Sequence, residues 1–554
     1  MTGTGSDELV FLPLGGAGEI GMNLNLYGFG RPDRYEWMMA DLGITFGGSS
    51  MPGVDVILPD PAFIAERRDK LLGLVLTHAH EDHLGAVPYL WDRLECPIFA
   101  TPFTAALLKR KLGEAGLADK AKITVIPLGG RFRLGPFDIE LITLTHSIPE
   151  PNALAIRTPL GTVLHTGDWK FDPDPVIGPA ADENALRLLG DAGVLAIVCD
   201  STNVFEPGSS ESEADLLVSL SAVIAEAPNR VVVGCFSSNV ARLKTIAQAA
   251  AANGRSVALA GRSLRRIDAA ARETGYLSEL PPFLDESEYS DLAREKAVLV
   301  CTGSQGEPRA ALARIAAESH ANITLEEGDR VVFSSRVIPG NEVAIAALQN
   351  RLIRKGVDVI TWKTRFVHVS GHPARDELTR MYALARPRVS VPVHGELRHL
   401  SEHARLARGC QVPTALVAEN GSLVRLAPGP AGIVECVPCG RLIADGDRLI
   451  AWDSSMVRGR TRALHHGSAV VTVVLNGLGI AEQTQLTTIG LLDDGDDEMM
   501  HVLREAIAGA VAESSSRAGC DDEKIREAVR ITVRRTFLGA LGKRPVTSVH
   551  LVRN

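Results

Sequence analysis

His78, His80, Asp82 and His83 fall within six consecutive positions of the stretch GLVLTHAHEDHLGAVPYL, residues 73–90. Imidazole nitrogen and carboxylate oxygen together suit zinc or manganese. His78 and His80 stand two apart just past an apolar run, residues 72–76, so a strand there lets both side chains point the same way. Asp82 and His83, adjacent on the turn that follows, point elsewhere and can reach a second ion. More ligand-type residues recur where strand-like segments end: His146 in IELITLTHSIPE, Asp168 in GTVLHTGDWKFD and His394 in VSVPVHGELRHL. As a set they fill a two-metal site with one carboxylate able to bridge the ions. Such a site lowers the pKa of a bound water and clamps substrate oxygens, which is hydrolytic chemistry.

Those side chains need strands that end at a common edge. The run 72–76 reads as a strand and the segment from Leu84 as a helix. Upstream, LPLGGAGEIGMNLNLYG (residues 12–28) holds G-x-G-x-x-G at Gly16, Gly18 and Gly21, and Asp41 follows where a dinucleotide-binding fold keeps its ribose carboxylate. That fingerprint requires a helix opening at the glycines. The residues after Gly21, MNLNLY, alternate polar and apolar instead, which is strand periodicity. The glycines therefore read as a β-hairpin turn, and Asp41 falls at the end of the next strand, in WMMADLG.

The 554 residues suggest three or four units at roughly 150 residues each. With 45% apolar residues, 5% aromatics and 52 glycines, close-packed α/β layers fit better than an aromatic-rich all-β fold. No basic-then-apolar leader opens the sequence, and no run reaches the ~18 apolar residues that span a bilayer. The eight cysteines are scattered, as suits reduced thiols, so the expected setting is cytoplasmic with no membrane. Cys436 and Cys439 form a close pair but lack a second C-x-x-C, so they are expected to be buried or inert rather than a zinc or redox site. A net charge of −9 argues weakly against a nucleic-acid partner. Carboxylates that hold cations also add negative charge, so this balance decides little.

The HAHEDH core, followed in order by His146, Asp168 and His394, resembles the metallo-β-lactamase superfamily, an αββα sandwich with metals at one edge of its two sheets. The resemblance implies two divalent ions per subunit, zinc foremost, with manganese or magnesium as alternatives. His78, His80, His146 and Asp168 would hold one ion; Asp82, His83, Asp168 and His394 would hold the other. Asp41 would support these ligands.

More than two hundred residues separate Asp168 from His394. They begin with VCDSTNVFEPG and then alternate apolar strands with Ala-rich helical stretches, which implies a second parallel sheet. The phrases GGAGEIGMN, HAHEDH, THSIPE, TGDWKFD, CDSTN, CTGSQGEP, IPGNE, HVSGH and HGELRHL, spread over residues 8–450, look like those of the β-CASP group of nucleases, specifically its bacterial ribonuclease J family. Met22 and Arg336-Val337 depart from otherwise familiar phrases but touch no ligand position. The implied fold is α/β: a metallo-β-lactamase domain over residues 1–205, a β-CASP insert over 206–367, the returning lactamase segment over 368–452, and a small C-terminal α+β domain over 453–554.

By the same resemblance, Asp200, His372 and His394 correspond to the group's three insert motifs. The implied activity is metal-dependent hydrolysis of RNA phosphodiesters in RNA processing and decay, including rRNA processing and mRNA decay. It would proceed 5′ to 3′ from 5′-monophosphate ends, with internal cutting as well, through attack by a two-metal-activated water. Asp82 would ligate an ion and hold or accept a proton from the attacking water. His372, outside the ligand core, would as imidazolium steady the transition state or protonate the leaving 3′-oxygen. A pocket for the 5′-phosphate would use Ser237, Ser238 and Asn239 in CFSSNV with His368, Val369, Ser370, Gly371 and His372 of HVSGH. Small hydroxyls, exposed N–H groups and a second imidazole suit that task, although a structural turn also explains residues 237–239. Arg242, Arg262, Arg265 and Arg266 could track an RNA backbone or be solvated surface.

In the tail, SAVVTVVLNG, TQLTTIGLL and PVTSVHLV read as strands. Two helical stripes run through Met499, Leu503, Ile507 and Val511 and through Ile525, Val529, Val533 and Phe537, with Gly542 as a stop. The resemblance assigns this tail to homodimer or homotetramer contacts. Arg526, Arg530, Arg534 and Arg535 read as a solvated helix face, with RNA contact as the alternative. The implied partners are single-stranded RNA, further copies of the chain and components of an RNA-degradation complex. A thioesterase or lactonase on the same core would need neither the βα insert nor HVSGH. A flavo-diiron oxidoreductase would place Glu at His80, and a non-catalytic scaffold would lack ligands.

Overall fold

Strand Glu8–Gly15 turns through the glycines and returns as Leu24–Gly30 in antiparallel register, with Leu12 opposite Leu26. No helix opens there, which removes the dinucleotide reading. Gly16, Gly18 and Gly21 adopt φ values of +85°, +91° and +85°, a region in which only glycine is unstrained. The computed structural model describes residues 6–32, 34–48, 51, 53–338, 340–476, 481–515 and 521–553. They form two compact units: one runs up to Thr45 and resumes over Ile57–Arg441, and the other comprises Phe46–Val56 and the chain from Leu442 on.

In the first unit the hairpin lies inside an eight-stranded sheet ordered Gly432–Cys436, Ser422–Ala427, Glu8–Gly15, Leu24–Gly30, Glu36–Ala40, Leu71–Val75, Ile98–Ala100 and Ile123–Val125. A seven-stranded sheet faces it, ordered Arg131–Leu134, Phe137–Thr143, Asn152–Thr158, Gly161–His165, Ala196–Asp200, Val389–Val393 and Thr414–Ala415. Period-two side-chain alternation builds the layers. Leu154 and Ile156 enter the core between the sheets with Leu9, Phe11, Tyr27 and Met38. Their neighbours Ala153 and Ala155 face outward and pack with Leu186 of helix Glu183–Ala192 and with Leu378 and Met381 of helix Arg375–Ala385. This is the αββα sandwich that the sequence resemblance implies.

The insert between these strands carries five parallel strands, ordered Ser256–Ala260, Ala297–Cys301, Val231–Gly234, Arg330–Phe333 and Asp358–Thr361. Its strands VVVG and AVLVC are apolar throughout because helices cover both faces of a parallel sheet. The chain leaves Val231–Gly234 toward one edge of the sheet and Arg330–Phe333 toward the other. Their adjacent C-terminal ends therefore form the sheet's topological switch point, where ligands of open α/β sheets bind.

Arg242, at the start of helix Val240–Ala252, is fully buried and not a tracker of nucleic acid. It donates to both oxygens of Glu213, at 2.6 and 3.0 Å, and to the carbonyl and hydroxyl of Ser334, at 2.8 and 2.5 Å. A guanidinium fork satisfied on both prongs is a structural keystone. Arg266 pairs with Glu114 at 2.8 Å, Arg265 donates to the Leu259 carbonyl at 3.2 Å, and Arg262 is exposed.

In the second unit Ser468–Leu475 pairs antiparallel with Ala481–Ile489 and parallel with Val546–Arg553. The parallel pairing demands a crossover, which helices Asp497–Ser515 and Asp522–Leu541 provide. Leu503, Ile507, Val511, Ile525, Val529, Val533 and Phe537 bury against Val471 and Val473, as their spacing predicts. Gly542 ends the second helix at φ +67°. Arg526 and Arg530 pair along the helix with Glu523 and Glu527, in keeping with a solvated face. Helix Ser455–His466, capped by Ser454, was not foreseen. It buries no residue, so it has no apolar stripe to read. No helix among the described residues is long and apolar enough to cross a membrane.

Candidate metal centre

The ligand-type residues sit just beyond strand C-termini. His78 and His80 follow Leu71–Val75, His146 follows Phe137–Thr143, Asp168 follows Gly161–His165, His394 follows Val389–Val393, and Asp200 ends Ala196–Asp200. A single helical turn, Glu81–Leu84, begins three residues earlier than expected and carries Asp82 and His83.

Three groups of ligand-type atoms converge, the third joining Asp168 and His394 to Asp200 and His372. In the first, His80 Nδ1 lies 3.1 Å from both His78 Nε2 and His146 Nε2. Asp168 Oδ2 lies 4.0 and 3.9 Å from the same two Nε2 atoms. In the second, Asp82 Oδ2 is 3.0 Å from His394 Nε2 and 3.6 Å from His83 Nε2. Asp168 Oδ2 completes it at 3.2 Å from His83 Nε2 and 3.7 Å from His394 Nε2. Ligand atoms about a tetrahedral ion with bonds near 2.05 Å are roughly 3.3 Å apart, and the first two groups scatter around that separation. Asp168 Oδ1 is buried without a hydrogen-bond partner. An orphaned carboxylate oxygen beside converging imidazoles fits a cation. The donors therefore suit divalent ions, and the imidazoles favour zinc or manganese.

Buried groups behind the ligands fix their orientation. A carboxylate can only accept, so His83 donates its Nδ1 proton to Asp41 Oδ2, at 2.7 Å, and turns Nε2 inward. His146 donates Nδ1–H to the Gly371 carbonyl at 2.5 Å. Asp41 also accepts the Thr77 N–H and hydroxyl, each at 2.8 Å. Asp41 and His394 hold φ values of +64° and +53°, left-handed backbone of the kind that clusters at functional sites.

Electrostatics divide the histidines. Burial pushes His78 and His146 well below the usual imidazole range, aided by neighbouring imidazoles, and brings His80 down to about 4. These rings are neutral and offer lone pairs. Burial opposes charge on His83 and His394 too, but Asp168 and the nearby carboxylates outweigh it and raise both well above that range. The carboxyl of Asp168, despite burial, is held well below its ordinary value by His394 and His83.

Three members of the constellation reach open space: the side chains of Asp82 and His372 are 31% and 23% exposed and His80 is half-buried, against 4% or less for His78, His83, His146, Asp168 and His394. His372 Nδ1 lies 2.8 Å from Asp200 Oδ2, which leaves Nε2 directed elsewhere. Burial lowers its pKa, but Asp200 more than compensates, so His372 is raised toward imidazolium. Asn203 anchors the loop before it by donating to Ser370 Oγ at 2.8 Å and to the His372 carbonyl at 3.1 Å.

Ser237 and Ser238 are half-buried after Val231–Gly234, at the switch point. Asn239 caps the following helix, its Oδ1 accepting the Arg242 N–H at 2.9 Å, so part of its role is structural. His368 Nδ1 is buried without a partner, and burial with nearby Arg242, Arg336 and Lys170 keeps the ring neutral. Val369 is buried in the core. The Ser334 hydroxyl donates to the Val367 carbonyl at 2.7 Å, so the HVSGH segment runs from the switch point to His372. Cys436 and Cys439 are exposed rather than buried, and the metal-capable clusters among the described residues all lie at the ligand edge.

Sequence reasoning missed Asn23, Thr77 and Thr202. Asn23 donates its side-chain N–H to the Asp82 carbonyl at 3.0 Å and lies 3.1 Å from His83 Nε2. Each lies inside a quoted phrase, but nothing in its residue type singles it out.

Family models match along the chain: "Metallo-beta-lactamase superfamily" over residues 46–234, "Ribonuclease J, beta-CASP domain" over 228–352, "Zn-dependent metallo-hydrolase RNA specificity domain" over 356–416 and "Ribonuclease J C-terminal domain" over 455–554. The chain is 46% identical over 551 residues to Ribonuclease J of Sinorhizobium meliloti, covering 99% of this chain and 98% of that one. It is 39% identical over 533 residues to Ribonuclease J of Mycolicibacterium smegmatis, covering 94% and 93%. To Ribonuclease J of Thermus thermophilus it is 35% identical over 552 residues, covering 98% and 94%. A solved protein of unknown function from Enterococcus faecalis V583 shares the fold at a TM-score of 0.51 and 18% identity, covering 76% of this chain and all (100%) of that one.

Proposed function

Since the chain belongs to the ribonuclease J family of metal-dependent ribonucleases, we propose that it degrades single-stranded RNA 5′ to 3′ from 5′-monophosphate ends and also cuts internally. The observation that carries this reading is Asp168 Oδ2, placed between two histidine-rich groups. His78, His80, His146 and Asp168 would hold one divalent ion, and Asp82, His83, Asp168 and His394 the other. Zinc is the first candidate, then manganese, with magnesium disfavoured by so many imidazoles. Such ions lower the pKa of a water and neutralise charge on the scissile phosphate.

The chain's own groups do the rest. Asp82, partly open to solvent, holds the attacking water and accepts its proton. His372, kept charged by Asp200, donates its Nε2 proton to the departing 3′-oxygen and steadies the negative charge. The 5′-phosphate binds at the switch point of the insert, between Ser237, Ser238 and Asn239 on one loop and His368 with Ser370, Gly371 and His372 on another. Ser370 Oγ accepts N–H groups from Asn203 and His372, which leaves its proton for a phosphate oxygen. A 5′-phosphate held there, one nucleotide from the ligand edge, would set release at one nucleotide per cut.

We further assign residues 1–205 and 368–452 to the lactamase domain, 206–367 to the β-CASP insert and 453–554 to a C-terminal domain that pairs copies into dimers or tetramers. Action in the cytoplasm, in RNA processing and decay and alongside other RNA-degrading proteins, completes the proposal.

The test uses purified protein with Mn²⁺, Mg²⁺ or Zn²⁺ and 5′-labelled RNAs bearing a mono- or triphosphate. Mononucleotides should appear, faster from the monophosphate, and Asp82→Ala and His372→Ala should abolish their release. Failure to cut any RNA, or full activity in Asp82→Ala, would sink the mechanism.

A further inference from the structure

Two threonines join the ligand edge to its buried carboxylates. Thr77 Oγ1 lies 2.8 Å from Asp41 Oδ2 and 3.0 Å from His78 Nδ1. Thr202 Oγ1 lies 2.7 Å from Asp200 Oδ1 and 2.8 Å from His394 Nδ1. The two arrangements have the same form on two different loops.

A hydroxyl carries one proton, and a carboxylate oxygen can only accept. Each threonine therefore donates to its carboxylate, the strongest acceptor within reach. For Thr202 the competing acceptor, the His394 carbonyl, is 3.3 Å away and loses to the carboxylate at 2.7 Å. With its proton committed, each hydroxyl oxygen can only accept from the imidazole, so the Nδ1 of His78 and of His394 must carry hydrogen. The neutral ring then has its lone pair on Nε2, the atom that faces the other ligands. Without the hydroxyl, the His78 ring can take either tautomer, and the His394 ring keeps only the more distant Asp200 Oδ1, 3.6 Å from its Nδ1, to hold the proton there; the wrong tautomer presents N–H to the ion.

We propose that Thr77 and Thr202 are positioning residues, each fixing the tautomer of one metal-facing histidine and each serving a different ion. Thr77 serves the ion of the His78 group and Thr202 the ion of the His394 group. The inference rests on the two-ion reading above. It gives each buried carboxylate a double duty: Asp41 orients His83 directly and His78 through Thr77, while Asp200 orients His372 directly and His394 through Thr202. Packing does not explain these threonines, because valine has the same shape without the hydroxyl.

The test is a titration of metal-stripped full-length protein with Mn²⁺, free Mn²⁺ being read by electron paramagnetic resonance. Wild type should take up two ions. Thr77→Val and Thr202→Val should each weaken one ion by about 10- to 100-fold, the range for lost partners of metal ligands, and leave the other near its wild-type affinity. Thr77→Ser and Thr202→Ser, which keep the hydroxyl, should restore wild-type binding. If a valine variant fails to fold, alanine, which also lacks the hydroxyl and offers no metal ligand, takes its place. The inference is overturned if the valine variants bind both ions like wild type, if each loses both ions equally, or if serine fails to rescue. Wild type that takes up no ion overturns the two-ion reading and this inference with it, whereas two ions bound normally by every variant overturns the inference alone.

Discussion

Gly371→Ala measures how firmly His146 is pinned. A β-carbon at Gly371 would lie 2.7 Å from His146 Nδ1, 2.8 Å from its Cε1 and 2.9 Å from Ser147 Oγ. The backbone there is outside the left-handed region, so alanine carries no conformational penalty and the effect is steric alone. Ordinary contact begins near 3.4 Å, so either His146 or the 371 loop must move by roughly 0.7 Å. His146 cannot yield without giving up its 2.5 Å hydrogen bond to the Gly371 carbonyl, and the loop cannot yield without carrying His372 with it. Metal–ligand distances tolerate only about 0.2 Å, and a displacement near 1 Å at a reacting centre costs about 100-fold. Turnover should therefore fall by about 10- to 100-fold, or roughly 1.4–2.7 kcal/mol of barrier. The ion of the His78 group should weaken as well. Mononucleotide release from 5′-monophosphorylated RNA gives the rate, and elemental analysis after dialysis gives the metal content. A variant with wild-type turnover and both ions retained would refute the claim that this carbonyl fixes the ligand.

Arg242→Ala should leave Glu213 buried and unpaired and cost about 3–5 kcal/mol, seen as a lower denaturation midpoint. Arg242→Lys should not rescue it, because an ammonium cannot serve two carboxylate oxygens and Ser334 in one plane. Metal affinity should fall as pH is lowered. His83 and His394 are raised above the ordinary imidazole range, so both must shed protons to ligate, and acid competes with the ion for the same nitrogens. Equilibrium dialysis against Mn²⁺ in buffers from mildly acid to mildly alkaline checks the sign; affinity that is flat or rises in acid contradicts it.

What could be read from the sequence was set by distance along the chain. His78, His80, Asp82 and His83 announce themselves because their spacing is local. His146, Asp168 and His394 are visible as strand-end residues, but their convergence on shared positions depends on pairings between strands far apart in sequence. Arg242 was misread for the same reason: its partners Glu213 and Ser334 lie 29 and 92 positions away, and no local pattern marks a buried guanidinium. The exposure of Cys436 follows from its place on Gly432–Cys436, an edge strand of the large sheet, and composition carries no sign of that. The helical stripes of the second unit were legible because a half-buried helix repeats its apolar residues every three or four positions.

The glycine-rich opening shows how a local motif acquires meaning from its surroundings. The Gly16 carbonyl accepts the His394 N–H at 2.6 Å, and Ala17–Gly18 pairs with Gly395–Glu396. Asn23 then holds the Asp82 carbonyl through both its backbone N–H, at 2.9 Å, and its side-chain N–H, at 3.0 Å. Gly43 approaches so closely that a β-carbon would sit 1.7 Å from the Asp82 carbonyl oxygen. Glycines that would elsewhere let a helix end meet a pyrophosphate here let the hairpin lie against the backbone of two ligand residues. His394, in strained left-handed backbone, is held from one side by Gly16 and from the other by Thr202. A ligand so constrained has little freedom left to lose when an ion binds, so the first hairpin contributes to metal affinity without touching the metal.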